Sequence, residues 1–238
     1  MPIEAVIFDW GGTLTPWHPI DLVKQWQVFA QVYSGDDPDA GAELAARMFE
    51  AERAAWGRLK ETGASARLSE LFEAVGVHSD HPGHDAARVA YEEFWEPHTC
   101  LDPDVPVVFE GLRERGIRVG VLSNTIWTRD YHRGLFERDG ILHLIDGDVY
   151  SSEIPWVKPH PEAFGAALSA VGATDPSACV YVGDRVYEDV HGSQRVGMRA
   201  VHVPHSDIPL DQQVPVEVTP DGTAHRLLDV LDLVDGWA

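Results

Sequence analysis

The chain has 238 residues, 44% of them hydrophobic and 24% charged, which suits one α/β domain with an insertion or two small domains. Its formal net charge of −21, from 39 acidic against 18 basic side chains, opposes nucleic acid or an anionic membrane surface as partner. The start "MPIEAVIFDW" carries no basic segment ahead of an apolar one, and no apolar run approaches the ~18–20 residues of a membrane span. Cys100 and Cys179 are far apart and form no CxxC pair, so the expected setting is the cytoplasm, without disulfides.

In chain order, "EAVIFDW" (4–10) is a short apolar run of the kind that forms a buried parallel strand. Residues 17–98 then show no β pattern. They carry amphipathic helical spacing at 20–33, 40–63, 67–76 and 84–98, with "SGDDPDAG" (34–41) as a loop between the first two. "DVPVVFEGLRERG" (104–116) has apolar residues at helical spacing and stops at Gly116. Strand patterns return in "RVGVLSN" (118–124), "ACVYVGD" (178–184) and "RAVHVPH" (199–205), with a helix over 160–172 that starts near Pro161. A proline-rich tail at 204–222 precedes a final helix expected at 223–234. Alternation of strand and helix predicts a doubly wound, Rossmann-like parallel sheet, with ligands at the carboxyl ends of the strands.

Polar groups gather at those ends. Asp9 closes the first strand and is followed by Gly11, Gly12 and Thr13. Ser123 and Asn124 close the second, Lys158 precedes a proline and a helix, and Asp184 closes the third with Glu188 and Asp189 one turn beyond. Each has a plain structural alternative: a cap or turn for Asp9, Asp184 and Ser123, and a surface lysine for Lys158.

Taken in order, "FDWGGTLT", "VGVLSNT", "VKPHPEAF" and "VGDRVYEDVHGSQRVGMRAV" resemble the four motifs of the haloacid dehalogenase superfamily, a group composed mostly of Mg-dependent phosphatases. The resemblance spans nearly the whole chain. It implies an α/β core of residues 1–16 and 99–238 and a helical cap of the C1 type inserted at 17–98. It also implies roles. Asp9 would attack phosphorus and form an aspartyl-phosphate, and Lys158 would assist it. Asp9, the Gly11 carbonyl, Asp184 and Asp189 would hold Mg²⁺, with Glu188 the rival to Asp189. Gly12, Thr13, Ser123 and Asn124 would meet the phosphoryl group, with Trp17 and His18 contributing from the flap behind the first motif. The implied partner is a small phosphorylated substrate, and the oligomeric state, monomer or homodimer, stays open.

One position departs from the family. Most of its phosphatases carry a second aspartate two residues after the nucleophile, where this chain has Gly11. Metal binding needs only the backbone carbonyl there, but a general acid/base worth ~10²–10⁴ in rate is missing. Three readings follow. The first is a phosphatase with another acid, His18 being the candidate, or with a leaving group that needs little protonation. The second is C–X chemistry. The phosphonoacetaldehyde hydrolase branch also has a small residue here, but it needs a cap lysine, for which only Lys24 and Lys60 are available. The dehalogenase branch works without metal, which the acidic stretch 184–189 argues against. The third is a ligand- or partner-binding protein that has lost catalysis.

Two further features carry bland readings. "HSDHPGHD" (78–85) holds three histidines, but Pro82 and Gly83 interrupt the helix that would align them, so a polar loop is expected. Trp10, Trp26 and Trp56 are expected in packing.

Overall fold

The structure is a computed structural model that describes residues 2–17, 20–62, 65–204, 208 and 213–237, without side-chain detail at 59–62. Six parallel strands form one sheet in the order β3-β2-β1-β4-β5-β6. They are β1 (Ala5–Phe8), β2 (Arg118–Ser123), β3 (Gly147–Tyr150), β4 (Cys179–Gly183), β5 (Arg199–His202) and β6 (Gly222–Thr223). The central β1 pairs with β2 on one side and β4 on the other. It has no exposed face: Ala5 to Phe8 are all 0% exposed, which is why its sequence is a run and not an alternation.

The four expected strands all form. Two others have weak sequence signals. β3 is four residues at a sheet edge and begins Gly-Asp, and its buried Asp148 is neutralised by Arg133 at 2.7 Å. β6 lies where the final helix was expected to begin. The open edge of β5 recruits residues 221–224 instead, through Asp221 N to Ala200 O at 2.9 Å and Ala224 N to His202 O at 2.9 Å. The last helix accordingly runs Asp229–Gly236 and not 223–234.

Between β1 and the rest of the sheet come α1 (Leu22–Ser34), α2 (Pro38–Thr62), α3 (Leu68–Val75) and α4 (His84–Trp95), close to the expected spans. The loop expected at 34–41 shrinks to about one turn, because Asp37 caps Ala40 N at 3.0 Å and starts α2 early. α1 packs on both α2 and α4. Inside this group the Glu52 carboxylate is buried and accepts from Trp26 Nε1 at 2.7 Å and Gln25 Nε2 at 3.0 Å. The chain leaves the sheet and returns to it at adjacent points, with Asp102 N donating to Leu14 O at 2.8 Å. No helix among the described residues is long and apolar enough to cross a membrane.

The remaining helices are α5 (Val105–Glu114), α6 (Arg129–Arg138), α7 (Pro161–Ala170), the short α8 (Gly192–Arg195) and α9 (Asp229–Gly236). α6 has a weak apolar signal in sequence, because its outer surface is charged almost throughout. Its inner face buries His132, which stacks on Tyr150 at 4.3 Å and meets the Trp10 ring at 4.8 Å. Burial pulls the His132 pKa down from 6.5 to about 3. The unfolded chain therefore takes up a proton that the folded chain refuses, and this contribution to stability is lost as pH falls below 6.5. Urea melts should lose about 2 kcal/mol between pH 7 and pH 5 from this group alone. His132→Gln should flatten that slope by one proton, and equal slopes in the two proteins would remove His132 as the cause.

Candidate active site

The site stands at the carboxyl ends of β1, β2 and β4. β1 delivers Asp9 directly after its last residue, where Asp9 N donates to Val182 O at 2.9 Å. The chain then closes a single tight turn. The Trp10 carbonyl accepts from Leu14 N at 2.9 Å and Thr15 N at 3.0 Å, and Gly12 N donates to Thr15 O at 2.8 Å. Gly12 has φ 84°, the left-handed region that a side chain would strain. Gly11 has an ordinary φ, and among the described residues beyond its chain neighbours a Cβ built there meets no atom within 4 Å. Thr13 is wholly buried, and its hydroxyl has no hydrogen-bond partner among the described residues.

Lys158 is only 3% exposed and occupies the centre. Its ammonium lies 2.8 Å from Asp9 Oδ1 and 2.7 Å from Asp189 Oδ1. Burial works against its charge, yet Asp189 and Asp9 more than offset this and hold its pKa above the ordinary lysine value. Burial pushes the Asp9 carboxyl the other way from its paired state, upward, with Asp189 adding to the rise and Lys158 opposing it.

One oxygen from each of Asp9, Asp184 and Asp189 lies within 4.8 Å of the others, and all three residues are buried. Buried carboxylates grouped this closely repel one another, which is costly unless cations balance them. Hard oxygen donors so grouped fit Mg²⁺. Asp189, and not Glu188, belongs to this group. Asp189 is 0% exposed and accepts from Arg185 N at 2.9 Å through Oδ2, whereas Glu188 is half-buried beside it. Gly183 permits the approach, because a Cβ there would sit 2.3 Å from Asp189 Oδ2.

Ser123 is buried at the end of β2, and it does not cap the next helix; Thr128 does, accepting from Tyr131 N at 3.2 Å. Asn124 spends its side chain on Lys158. Its Oδ1 accepts from Lys158 N at 2.8 Å and its Nδ2 donates to Lys158 O at 3.0 Å. Trp17 is partly buried, with the Arg185 guanidinium 5.3 Å over its ring. His18 lies outside the described residues.

Two neighbours escaped the sequence reading. Arg185 looked like one more charge in an acidic stretch. Tyr181 looked like one more apolar residue of β4, although a buried tyrosine generally needs a partner for its hydroxyl, and that was a usable signal. Among the described residues the only cluster of potential metal ligands is the aspartate group, so the histidine-rich loop offers none. There His81 stacks on Tyr33 at 4.1 Å and His84 pairs with Asp85 at 3.2 Å. Lys24 is exposed on α1, and the Lys60 side chain lies outside the described ones.

The chain is 28% identical over 235 residues to a glyceraldehyde 3-phosphate phosphatase of Methanopyrus kandleri, covering 98% of this chain and 97% of that one. It is 25% identical over 207 residues to a phosphonoacetaldehyde hydrolase of Pseudomonas putida, covering 84% and 72%. The crystal structure of a phosphatase from Thermococcus onnurineus superposes with a TM-score of 0.65 at 22% identity, covering 98% and 99%, and shares the fold. Residues 3–197 match the haloacid dehalogenase-like hydrolase family, a span that holds every buried group just described, and the chain belongs to that family of hydrolases.

Proposed function

We propose that the protein is a Mg²⁺-dependent phosphatase of small phosphorylated metabolites, working through a phosphoryl group held on Asp9. The observation that carries this reading is the Lys158 ammonium set between Asp9 and Asp189, with the Asp184 carboxylate in the same buried group. An Asp9 oxygen attacks phosphorus, and the bond from phosphorus to the leaving oxygen breaks with its electron pair on that oxygen. Water then attacks the same phosphorus, the bond to Asp9 breaks, and phosphate leaves with Asp9 again a carboxylate. As negative charge passes from Asp9 to the transferring group, the Lys158 N–H that faced Asp9 is placed to follow it. Ser123 and the buried Thr13 hydroxyl would take phosphoryl oxygens, and Asn124 would act by holding the Lys158 backbone in place.

Asp9, the Gly11 carbonyl, Asp184 and Asp189 would hold the cation, which when bound offsets the charge of the phosphate. The helical segment 17–98 serves as a cap that closes over the substrate and selects it, with Trp17 against Arg185 where the segment begins. Nothing at residue 11 can protonate the leaving oxygen. Substrates with good leaving groups, acyl phosphates or sugar 1-phosphates, therefore suit the site best.

Two measurements test the proposal. Phosphate release should depend on Mg²⁺, vanish with chelator, and favour acyl phosphates and sugar 1-phosphates over alkyl phosphates. Mg²⁺ at about a hundredfold excess over Kd should stabilise the fold by about 2.7 kcal/mol, a gain of several degrees in Tm. Asp184→Asn should lose most of that gain. Metal-independent release, or an unchanged Tm, would overturn the metal assignment. Carbon–phosphorus cleavage of phosphonoacetaldehyde is the second reading, favoured by the Pseudomonas putida relative. It lacks support from Lys24, which is exposed on α1. Release of phosphate from phosphonoacetaldehyde but from no ester would select it.

A further inference from the structure

We propose that Tyr181 is a positioning residue for Lys158, an inference that rests on the catalytic part given to Lys158 above. A lysine ammonium has three N–H donors and no acceptor. Two point at Asp9 and Asp189, and the third meets Tyr181 Oη at 2.7 Å. The ammonium can only donate, so Tyr181 Oη accepts, and the next bond along agrees. Tyr181 Oη lies 2.8 Å from Leu122 O, and a carbonyl can only accept, so the phenol proton goes to Leu122 and the oxygen lone pairs face the ammonium.

The contact is built into the sheet. Tyr181 stands on β4 in register with Ile7 of β1, and its side chain reaches past that central strand to the backbone of β2. The residue is 1% exposed, and its ring packs edge-on against Phe164 at 5.2 Å. Tyr181 thus ties the lysine to the strands that carry Asp9 and Ser123. It does so as a neutral acceptor. A carboxylate here would add to the repulsion among the buried carboxylates, and an apolar ring would leave a buried N–H without a partner. Two carboxylates alone define a line along which the ammonium can swing, and the third contact turns that line into a tripod. Asp189 and Tyr181 hold the lysine still while the N–H that faced Asp9 passes to the transferring phosphoryl group.

The test uses p-nitrophenyl phosphate turnover and inhibition by orthovanadate, which imitates the phosphoryl group in flight. Tyr181→Phe should lower kcat about tenfold with KM within twofold, and should raise the vanadate Ki about tenfold. The Ki does not depend on what fraction of the protein is folded, so lost stability alone would not move it. Phe164→Leu loosens the same packing without touching the hydroxyl and should leave that Ki within twofold. Fluorotyrosine at position 181 keeps the ring and weakens the oxygen as an acceptor, so Ki should climb with each fluorine even if Tyr181→Phe fails to fold. A flat Ki across the Tyr181 series, or an equal rise in Phe164→Leu, would overturn the inference. Lys158→Met separates it from the reading beneath: loss of turnover there with a silent Tyr181 series overturns the inference alone, and retained turnover overturns both.

Discussion

Asp9→Asn is expected to abolish turnover, by about 10⁴-fold or more, because the atom that forms the bond to phosphorus is gone. The fold should survive the change. Asparagine has nearly the shape of aspartate, and Lys158 keeps Asp189 and Tyr181 as partners when Asp9 is lost. The backbone bond from residue 9 to Val182 O is also untouched. Two readouts make the prediction sharp. Radiolabelled phosphate should stay with acid-quenched wild type after mixing with a good substrate, and the variant should carry none. Turnover of Asp9→Asn within tenfold of wild type would show that the nucleophile is elsewhere. If neither protein turns over any substrate, yet both bind the same partner equally well, the fold serves recognition and not hydrolysis.

Gly11→Asp is expected to do the reverse, raising turnover of alkyl phosphates by about 10²-fold, the lower end of what general acid catalysis supplies. That corresponds to about 2.7 kcal/mol of barrier. The physical case is that the position already accepts a side chain: its φ is ordinary, and among the described residues beyond its chain neighbours nothing lies within 4 Å of a built Cβ. Contrast Gly12, the next residue, where φ 84° demands glycine. Acyl phosphates should gain little, since their leaving group departs without a proton. The ratio of alkyl to acyl turnover is therefore the quantity to measure, and it should rise by nearly the full factor. If wild type already hydrolyses alkyl esters well and Gly11→Asp adds nothing, another group donates the proton, and His18→Ala is the next variant to assay.

Much of the architecture was legible because it rests on local chemistry. An apolar run that ends in an acid, as at 5–9 and 179–184, is a buried parallel strand delivering a polar residue to its end. Helical spacing across 20–98 marked the inserted helices for the same reason: one face of each must be buried. The order of four motifs placed Asp9, Ser123, Lys158 and Asp184 at strand or helix ends, where the structure puts them.

Other features depended on contacts between distant segments, and no window of sequence contains those. β3 and β6 are too short to read as strands alone, and each completes the edge of a neighbouring strand. Asp189 and Glu188 are adjacent and chemically alike. Only the packing of the turn over Gly183 turns one inward to Lys158 and leaves the other half-buried. Asn124 lies beside the expected phosphate site in sequence, but the clasp of its amide on the backbone of residue 158 joins segments 34 residues apart. Tyr181 read as apolar because its partners, Lys158 and Leu122, are 23 and 59 residues away in the chain. By itself the sequence determined the four central strands and the helical insertion, since these follow from periodicity and residue type, and the order of its motifs carried the resemblance that implies a phosphate site. Which carboxylates meet, and what holds the lysine between them, was decided by the tertiary structure, because burial removes water and leaves each charge to find its partner across the sheet.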